Sequence, residues 1–484
     1  MHAEVVDPFT HIVAPFFPEE KCGVFGVYGA GMEAARLVHS GLWALQHRGQ
    51  ESSGIASSEG KTIRLYKGEG LISRVFNEDH LALLSGNYAI GHNRYATSGG
   101  SGKTHAQPIL GKHNLIALAH NGNLPDTSAL EKYLKKQAID ISVLNDSEMM
   151  QAAIEHELHR GNTIKKTLKK LLPLFTGVYC LLLLTKDSLI AIRDPSGVRP
   201  LSLGKLNGGY VFSSETCALD TIGATFVRDI APGEMVVVTA HGLKSHQLQP
   251  GDEKLDIFEF IYFARSDSML LGKRVDVVRK NLGRQLARET DLAADVVIPV
   301  PDSAVSAAIG FAQESSVPFD HGLIKNRYIH RTFIQPAQRL REKTVNMKLN
   351  PIPESISGKR VAIIDDSIVR GTTAKSLVER VRSAGAAEVH LLISSPPVVY
   401  PDFYGIDTPR QTDLIAFEMP IKKIVKYVGA DSLHFLSYQG MIKAIELPES
   451  TFCTSCFTGK YPSSIGKRSR EIKSCAHSDL AREE

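Results

Sequence analysis

The chain of 484 residues lacks a strong charge of either sign: 56 Lys and Arg stand against 52 Asp and Glu, a net charge of +4. A nucleic-acid partner held by bulk charge is therefore not expected. No apolar run reaches the length of a membrane span, so no membrane partner is expected either. The amino terminus carries Asp7, Glu19 and Glu20 and no basic, apolar leader pattern, which predicts a cytoplasmic protein. Cysteines are few, six in all, too sparse for a secreted disulfide framework. Cys22, Cys180, Cys217, Cys453, Cys456 and Cys475 must each be explained as nucleophile, ligand or core. Cys180 sits in an apolar stretch and reads as a buried strand residue. What remains is an ordinary globular composition, 43% hydrophobic, with length enough for two domains.

The most informative stretch is VAIIDDSIVRGTT, residues 361–373. Four apolar residues suit a strand covered on both faces of a parallel sheet, and Asp365 and Asp366 stop it. Leu377, Val378 and Val381 then make one apolar helical face closed by Gly385. Gly371, Thr372 and Thr373 thus fall at a helix N-terminus, where free N–H groups and hydroxyls can hold a phosphate. The two aspartates repel a phosphate, so their partners are expected to be sugar hydroxyls or a hydrated Mg²⁺. A phosphorylated ribose carrying a metal-bound pyrophosphate satisfies both halves. The stretch closely resembles the 5-phosphoribosyl 1-pyrophosphate (PRPP) loop of phosphoribosyltransferases, which adds Ser367 and Arg370 to the expected PRPP contacts.

In the amino-terminal half, Cys22 opens the strand-like CGVFGVY, residues 22–28. Four polar clusters follow between apolar segments: QHRGQESSG (46–54), GHNRYAT (91–97), HNGNL (120–124) and NDSE (145–148). Such clusters read as active-site loops on a rigid scaffold. With Cys22 they look like the glutaminase domain of amino-terminal-nucleophile amidotransferases. Taken with the PRPP loop and the order of domains, the chain resembles the amidophosphoribosyltransferase family, in segments running from about residue 22 to 462.

The resemblance implies an α+β sandwich of αββα layers, the amino-terminal-nucleophile glutaminase fold, followed by an α/β type I phosphoribosyltransferase domain with a parallel sheet. The expected boundaries are 1–21 for a propeptide, 22–250 for the glutaminase, 251–462 for the phosphoribosyltransferase and 463–484 for a mobile tail. It implies that Cys22 is the nucleophile with its own α-amine as base; an α-amine titrates near neutrality, around 7.7–8.0. That role requires removal of residues 1–21. Arg94 would grip the glutamine α-carboxylate, Asp146 would receive its ammonium group, and Arg48 and Gly49 would line the pocket. Asn121 and Gly122 would form the oxyanion hole. The segment RDPSGVRP, residues 193–200, reads as a structural turn.

Beyond residue 250, helical periodicity from Val275 to Glu289 leads to DVVIPVPDS, residues 295–303, another buried strand with a polar end. By resemblance Asp302 and Ser303 meet the pyrophosphate, and Ser303, Asp365 and Asp366 hold the Mg²⁺. KNRYIHRTF, residues 325–333, begins a basic segment that resembles a lid over PRPP, with Lys325 and Arg331 suited to the leaving group. Cys453 and Cys456 can reach one metal, and alone could serve zinc, redox chemistry or core packing. The cluster-bearing branch of the family implies a [4Fe-4S] centre on Cys217, Cys453 and Cys456, with Asp402 at the fourth position. Aspartate is a harder ligand than thiolate, so three readings stay open: an aspartate-ligated cluster, a zinc or empty site, or recruitment of Cys475.

The implied activity is the first committed step of purine synthesis: glutamine hydrolysed at Cys22 and ammonia passed to PRPP. A homotetramer inhibited by purine nucleotides is expected from the same resemblance. A PRPP-sensing regulator would not need Cys22, Arg94, Asn121 and Asp146 together, and a glutaminase serving another acceptor would not keep the PRPP loop.

Overall fold

The computed structural model describes residues 22–29, 33–95, 105–326, 349–405 and 410–473. The expected propeptide, residues 1–21, lies outside them, as do Arg331 and Cys475. In chain order the strands of the amino-terminal half are β1 (Gly23–Tyr28), β2 (Ser52–Ser58), β3 (Ile63–Glu69), β4 (Tyr88–Arg94), β5 (Ile109–Leu110), β6 (Ala117–Asp126) and β7 (Thr176–Leu184). They continue as β8 (Leu189–Arg193), β9 (Ser202–Leu206), β10 (Gly209–Ser213), β11 (Thr225–Asp229), β12 (Glu234–Thr239) and β13 (Gly242–Gln247).

They build a seven-stranded sheet, β11-β9-β10-β1-β4-β2-β3, and a six-stranded sheet, β13-β12-β8-β7-β6-β5. Their ladders are antiparallel, as in β1 with β4 and β6 with β7. Side chains alternate across a strand, so each sheet has an inner and an outer set. Val24, Ala56 and Ile90 meet Ala119, Leu182 and Ala191 between the sheets. On the outer face of the first sheet, Val38 and Leu42 of the helix Ala34–Ala44 cover Phe25, Val27 and Ile55. On the outer face of the second, Leu130, Met150, Ile154 and Leu168 from three helices cover Leu118, Leu181, Leu183 and Ile190. The run of four leucines ending β7 is apolar at every position because both its faces are covered. The layers are αββα.

The carboxy-terminal half holds a four-stranded parallel sheet of Val296–Pro299, Arg360–Asp365, Glu388–Ile393 and Ser432–Phe435, in that order. Residues Val361, Ala362, Ile363 and Ile364 are fully buried, and the helices Val275–Glu289, Val305–Ser315, Thr372–Ser383 and Ile421–Val428 pack over the sheet. Two short ladders frame its functional edges. Leu323–Lys325 pairs antiparallel with Leu349–Pro351 on either side of residues 327–348, and Leu255–Asp256 runs parallel to Phe452–Cys453.

Residues 463–473, within the expected mobile tail, make contacts with the carboxy-terminal half. Ile465 is buried beside Phe403, Tyr404 and Cys453, Ser463 N–H donates to the Tyr404 hydroxyl at 3.0 Å, and Lys473 N–H donates to Gln411 Oε1 at 2.8 Å. An apolar residue with a hydroxyl partner gives this basic segment a docking point that its composition concealed.

Candidate active sites

Cys22 stands half-buried immediately before β1, with its thiol 3.7 Å from the Tyr95 carbonyl. Burial pushes the thiol above its ordinary value; Arg94 and Arg48 pull it down, and Asp146 pushes it up again. The nucleophile therefore stays a thiol at neutral pH until a base takes its proton. Arg48 donates to the Cys22 carbonyl at 3.2 Å, and the charges of Arg94 and Asp146 also act on the thiol, although the three come from different elements.

Arg94 ends β4 and is nearly buried, 3.6 Å from Glu51. Gly49 abuts its backbone. Asp146 begins the helix Asp146–His159, where Asn145 makes a capping box with Glu148. Asn145 takes the cap, so Asp146 accepts instead from the Leu124 and Ser147 N–H groups at 3.1 and 2.8 Å. This sets the acid beside Leu124, two residues beyond Gly122 in β6, the strand that carries Asn121 and Gly122. Asn121 is buried, and its Nδ2 has no hydrogen-bond partner among the described residues. An orphaned buried donor is costly in a structural role and suits a group waiting for an oxyanion. Gly122 has φ +148°, and a Cβ there would sit 2.1 Å from the Val178 carbonyl, so only glycine fits.

Arg48 meets the nucleophile through the Cys22 backbone. It is buried, donates to the Cys22 carbonyl from Nε at 3.2 Å, and is held by Glu215 and, through two hydrogen bonds of 2.9 and 3.0 Å, by Glu259. Burial alone would raise the Glu215 carboxyl; His47 and Arg48 overcome it and hold it below the usual range. Glu259 belongs to the π-helical turn Glu259–Phe263 of the other domain, so this knot ties the nucleophile's backbone across the domain boundary. Sequence reasoning passed over both glutamates. A lone acid inside the apolar run at 257–263 was the available signal, because a buried carboxylate demands a partner. His120 was also missed. Its Nδ1 lies 2.8 Å from Ser147 Oγ and 3.9 Å from Asp146, and burial lowers its pKa against the pull of Asp146.

The second site forms where the strand Arg360–Asp365 ends. Asp365 and Asp366 are both buried, and desolvation raises both carboxyls above the usual range, Asp365 further through its neighbour's charge. Ser303 donates to Asp366, as does Ser367 at 2.8 Å, and the Asp366 N–H donates to Asp365 at 2.9 Å. Two crowded, desolvated carboxylates with hydroxyls beside them are a donor set that fits a divalent cation. Ser367 and Arg370 lie between the acids and Gly371, which caps the helix Thr372–Ser383 at φ +77°. A Cβ on Gly371 would meet Ile415 at 2.4 Å. The helix opens with the N–H groups and hydroxyls of Thr372 and Thr373. Across the sheet edge, Lys325 pairs with Asp302 at 2.9 Å on the surface.

Two family models match the chain: a glutamine amidotransferase domain over residues 92–221 and a phosphoribosyl transferase domain over residues 272–395. Amidophosphoribosyltransferases of Synechococcus elongatus and Bacillus subtilis are 47% and 45% identical, covering 95% and 92% of this chain and 94% and 95% of their own. The chain belongs to the amidophosphoribosyltransferase family. The solved B. subtilis enzyme, glutamine PRPP amidotransferase complexed with ADP and GMP, superposes with a TM-score of 0.86 at 44% identity, covering 94% of this chain and all of that one. The fold is thus a glutaminase domain followed by a phosphoribosyltransferase domain. The activity is the first committed step of purine synthesis, from glutamine and PRPP.

The iron-sulfur centre that the resemblance implied is where the residues depart from expectation. Cys217 is not near Cys453. It lies in the short helix Thr216–Thr221, packed with Ala218 and Leu219 against the helix Ala34–Ala44, and its thiol faces Glu215 at 3.7 Å. Cys453 and Cys456 are buried in the other domain, and the acids bearing on both are Asp256 and Asp402. Those acids are already engaged. Arg199, from the segment read as a structural turn, lies 2.7 Å from Asp256 and 3.8 Å from Asp402. Among the described residues no group of three or more His, Cys, Asp or Glu is disposed to hold a metal ion. The described residues do not fit the cluster.

Proposed function

We propose that this chain carries out the family reaction with Cys22 as the glutaminase nucleophile and the residue 365–373 loop as the PRPP site. The supporting observation is the convergence of Arg48, Arg94 and Asp146 on the Cys22 thiol from separate elements. Glutamine binds with its α-carboxylate on Arg94 and its ammonium group on Asp146. The Cys22 thiol, held neutral by burial, gives its proton to its own α-amine as sulfur attacks the carboxamide carbon. The Asn121 amide and Gly122 N–H hold the oxygen that becomes negative. The amine returns the proton to the leaving nitrogen, and water cleaves the thioester to glutamate. Ammonia then passes inside the protein and displaces pyrophosphate from ribose carbon 1, giving 5-phosphoribosylamine.

The helix N-terminus at Gly371, Thr372 and Thr373, with Arg370 and Ser367 beside it, holds the 5-phosphate. Asp365 and Asp366 hold the ribose hydroxyls and, with Ser303, a Mg²⁺. The ion supplies charge neutralisation of the departing pyrophosphate. Asp302, Lys325 and Arg331 attend that pyrophosphate. The α-amine can act only after residues 1–21 are removed. Purine nucleotides act as inhibitors, in keeping with the ADP and GMP of the B. subtilis relative. We assign the active form as a cytoplasmic homotetramer. Among the described residues no helix is long and apolar enough to cross a membrane.

A reciprocal pair of variants tests the division of labour. Asp366→Ala is expected to abolish PRPP-dependent synthesis and leave basal glutaminase, and Cys22→Ala to abolish glutaminase and leave synthesis from ammonia. Unchanged synthesis in Asp366→Ala, or surviving glutaminase in Cys22→Ala, would overturn the assignment.

A further inference from the structure

The Arg199 guanidinium is fully buried and surrounded by acceptors of the phosphoribosyltransferase domain. Nη1 donates to Asp256 at 2.7 Å, Nη2 lies 3.8 Å from Asp402, and Nε and Nη2 donate to the Tyr404 carbonyl at 3.2 and 2.6 Å. Each partner leads onward. The backbone of Asp256 joins Val198 on one side, through an N–H to carbonyl bond of 3.0 Å, and pairs with Cys453 on the other. The Asp402 carboxylate accepts from the Tyr404 N–H at 2.6 Å. Between Asp402 and Tyr404, the Phe403 carbonyl accepts from Asn123 Nδ2 at 2.8 Å, and Gly405 packs against the Gly122 backbone. Two hydrogen-bonded steps thus link the arginine to Asn123, the neighbour of Gly122, through a segment that belongs to the other domain.

We propose that this ion-pair clasp stands in this chain where an iron-sulfur cluster was expected, and that Arg199 is a positioning residue for the oxyanion loop. The inference rests on the assignment of Asn121 and Gly122 above. A cluster taking Asp402 as ligand would strip the buried Arg199 of a counter-charge. Cys453 and Cys456 are packing residues, the first beside Val198, Phe403 and Tyr404, the second in the core under the parallel sheet. The clasp holds residues 402–405 against residues 122–123 without redox chemistry.

The test uses the full chain, purified without oxygen. The native protein is expected to hold no stoichiometric iron or sulfide, and Cys453→Ser and Cys456→Ser to keep both glutamine- and ammonia-dependent synthesis. Arg199→Met is expected to lower glutamine-dependent kcat about 10- to 100-fold, the scale of a small misplacement of catalytic groups. Its KM for PRPP and its ammonia-dependent rate should stay as they were. Arg199→Lys keeps the charge without the fork and is expected to fall in between; it decides the matter if the methionine variant does not fold. About four irons and four sulfides per chain, or equal loss of both activities in Arg199→Lys, would overturn the proposal. Failure of the underlying assignment would show separately, as Asn121→Ala keeping the parent's glutamine-dependent kcat.

Discussion

Asn121→Ala isolates the oxyanion hole because its Nδ2 gives up no hydrogen bond among the described residues. Removing one such donor typically costs 10²- to 10³-fold in kcat, or about 2.7–4 kcal/mol of transition-state stabilisation. Arg94 and Asp146, proposed above to recognise the substrate, are untouched, so KM for glutamine should hold while kcat falls. An unsatisfied buried donor costs the native state about 1–3 kcal/mol. Deleting it relieves that cost and leaves a small void, so unfolding stability should stay within about 1 kcal/mol of the parent. The assays are steady-state glutamate release, phosphoribosylamine formation from ammonia, and denaturant unfolding. Ammonia-dependent synthesis should be unchanged. A kcat loss below about tenfold, which is only about 1.4 kcal/mol, or an equal loss from ammonia, would refute the reasoning.

Two further substitutions probe the charged groups. Asp365 and Asp366 have raised pKa values, so in the metal-free protein their ionisation opposes folding. Their stabilising contribution is complete below the ordinary aspartate value near pH 3.9 and is lost as pH rises through the raised values. Asp365→Asn is therefore expected to raise the metal-free thermal midpoint at pH 8, converging with the parent near pH 4, while losing PRPP turnover; calorimetry across pH checks the sign. Arg48→Met leaves Glu215 and Glu259 buried without their guanidinium, a loss of about 3–5 kcal/mol in unfolding free energy. Adding Glu259→Gln should return part of that stability, as measured in denaturant.

The legible parts of this molecule were those whose signal is local. The apolar run before Asp365, the small residues after it and the periodicity of 275–289 each settle within one element, and the structure forms the strand Arg360–Asp365 and the helix Val275–Glu289 there. The illegible parts depend on which distant groups meet. Cys217 fits a ligand count in sequence, yet an apolar helix face draws its thiol into a separate core. Arg48 looks like a pocket residue, but Glu215 and Glu259 from far along the chain consume its donors. Arg199 sits in a turn motif with no hint that Asp256 and Asp402 converge on it. The spacing of Cys453 and Cys456 says that two thiols can reach one ligand, and nothing about which acids stand beside them.

The most direct test of the account is labelling of active protein with a diazoketone analogue of glutamine, followed by peptide mass mapping and both synthesis assays. The account predicts a single adduct on Cys22 as the first residue of its chain, with glutamine-dependent synthesis lost and ammonia-dependent synthesis kept. An adduct on another residue, or full glutamine-dependent activity in protein that still carries Lys21 ahead of Cys22, would contradict it.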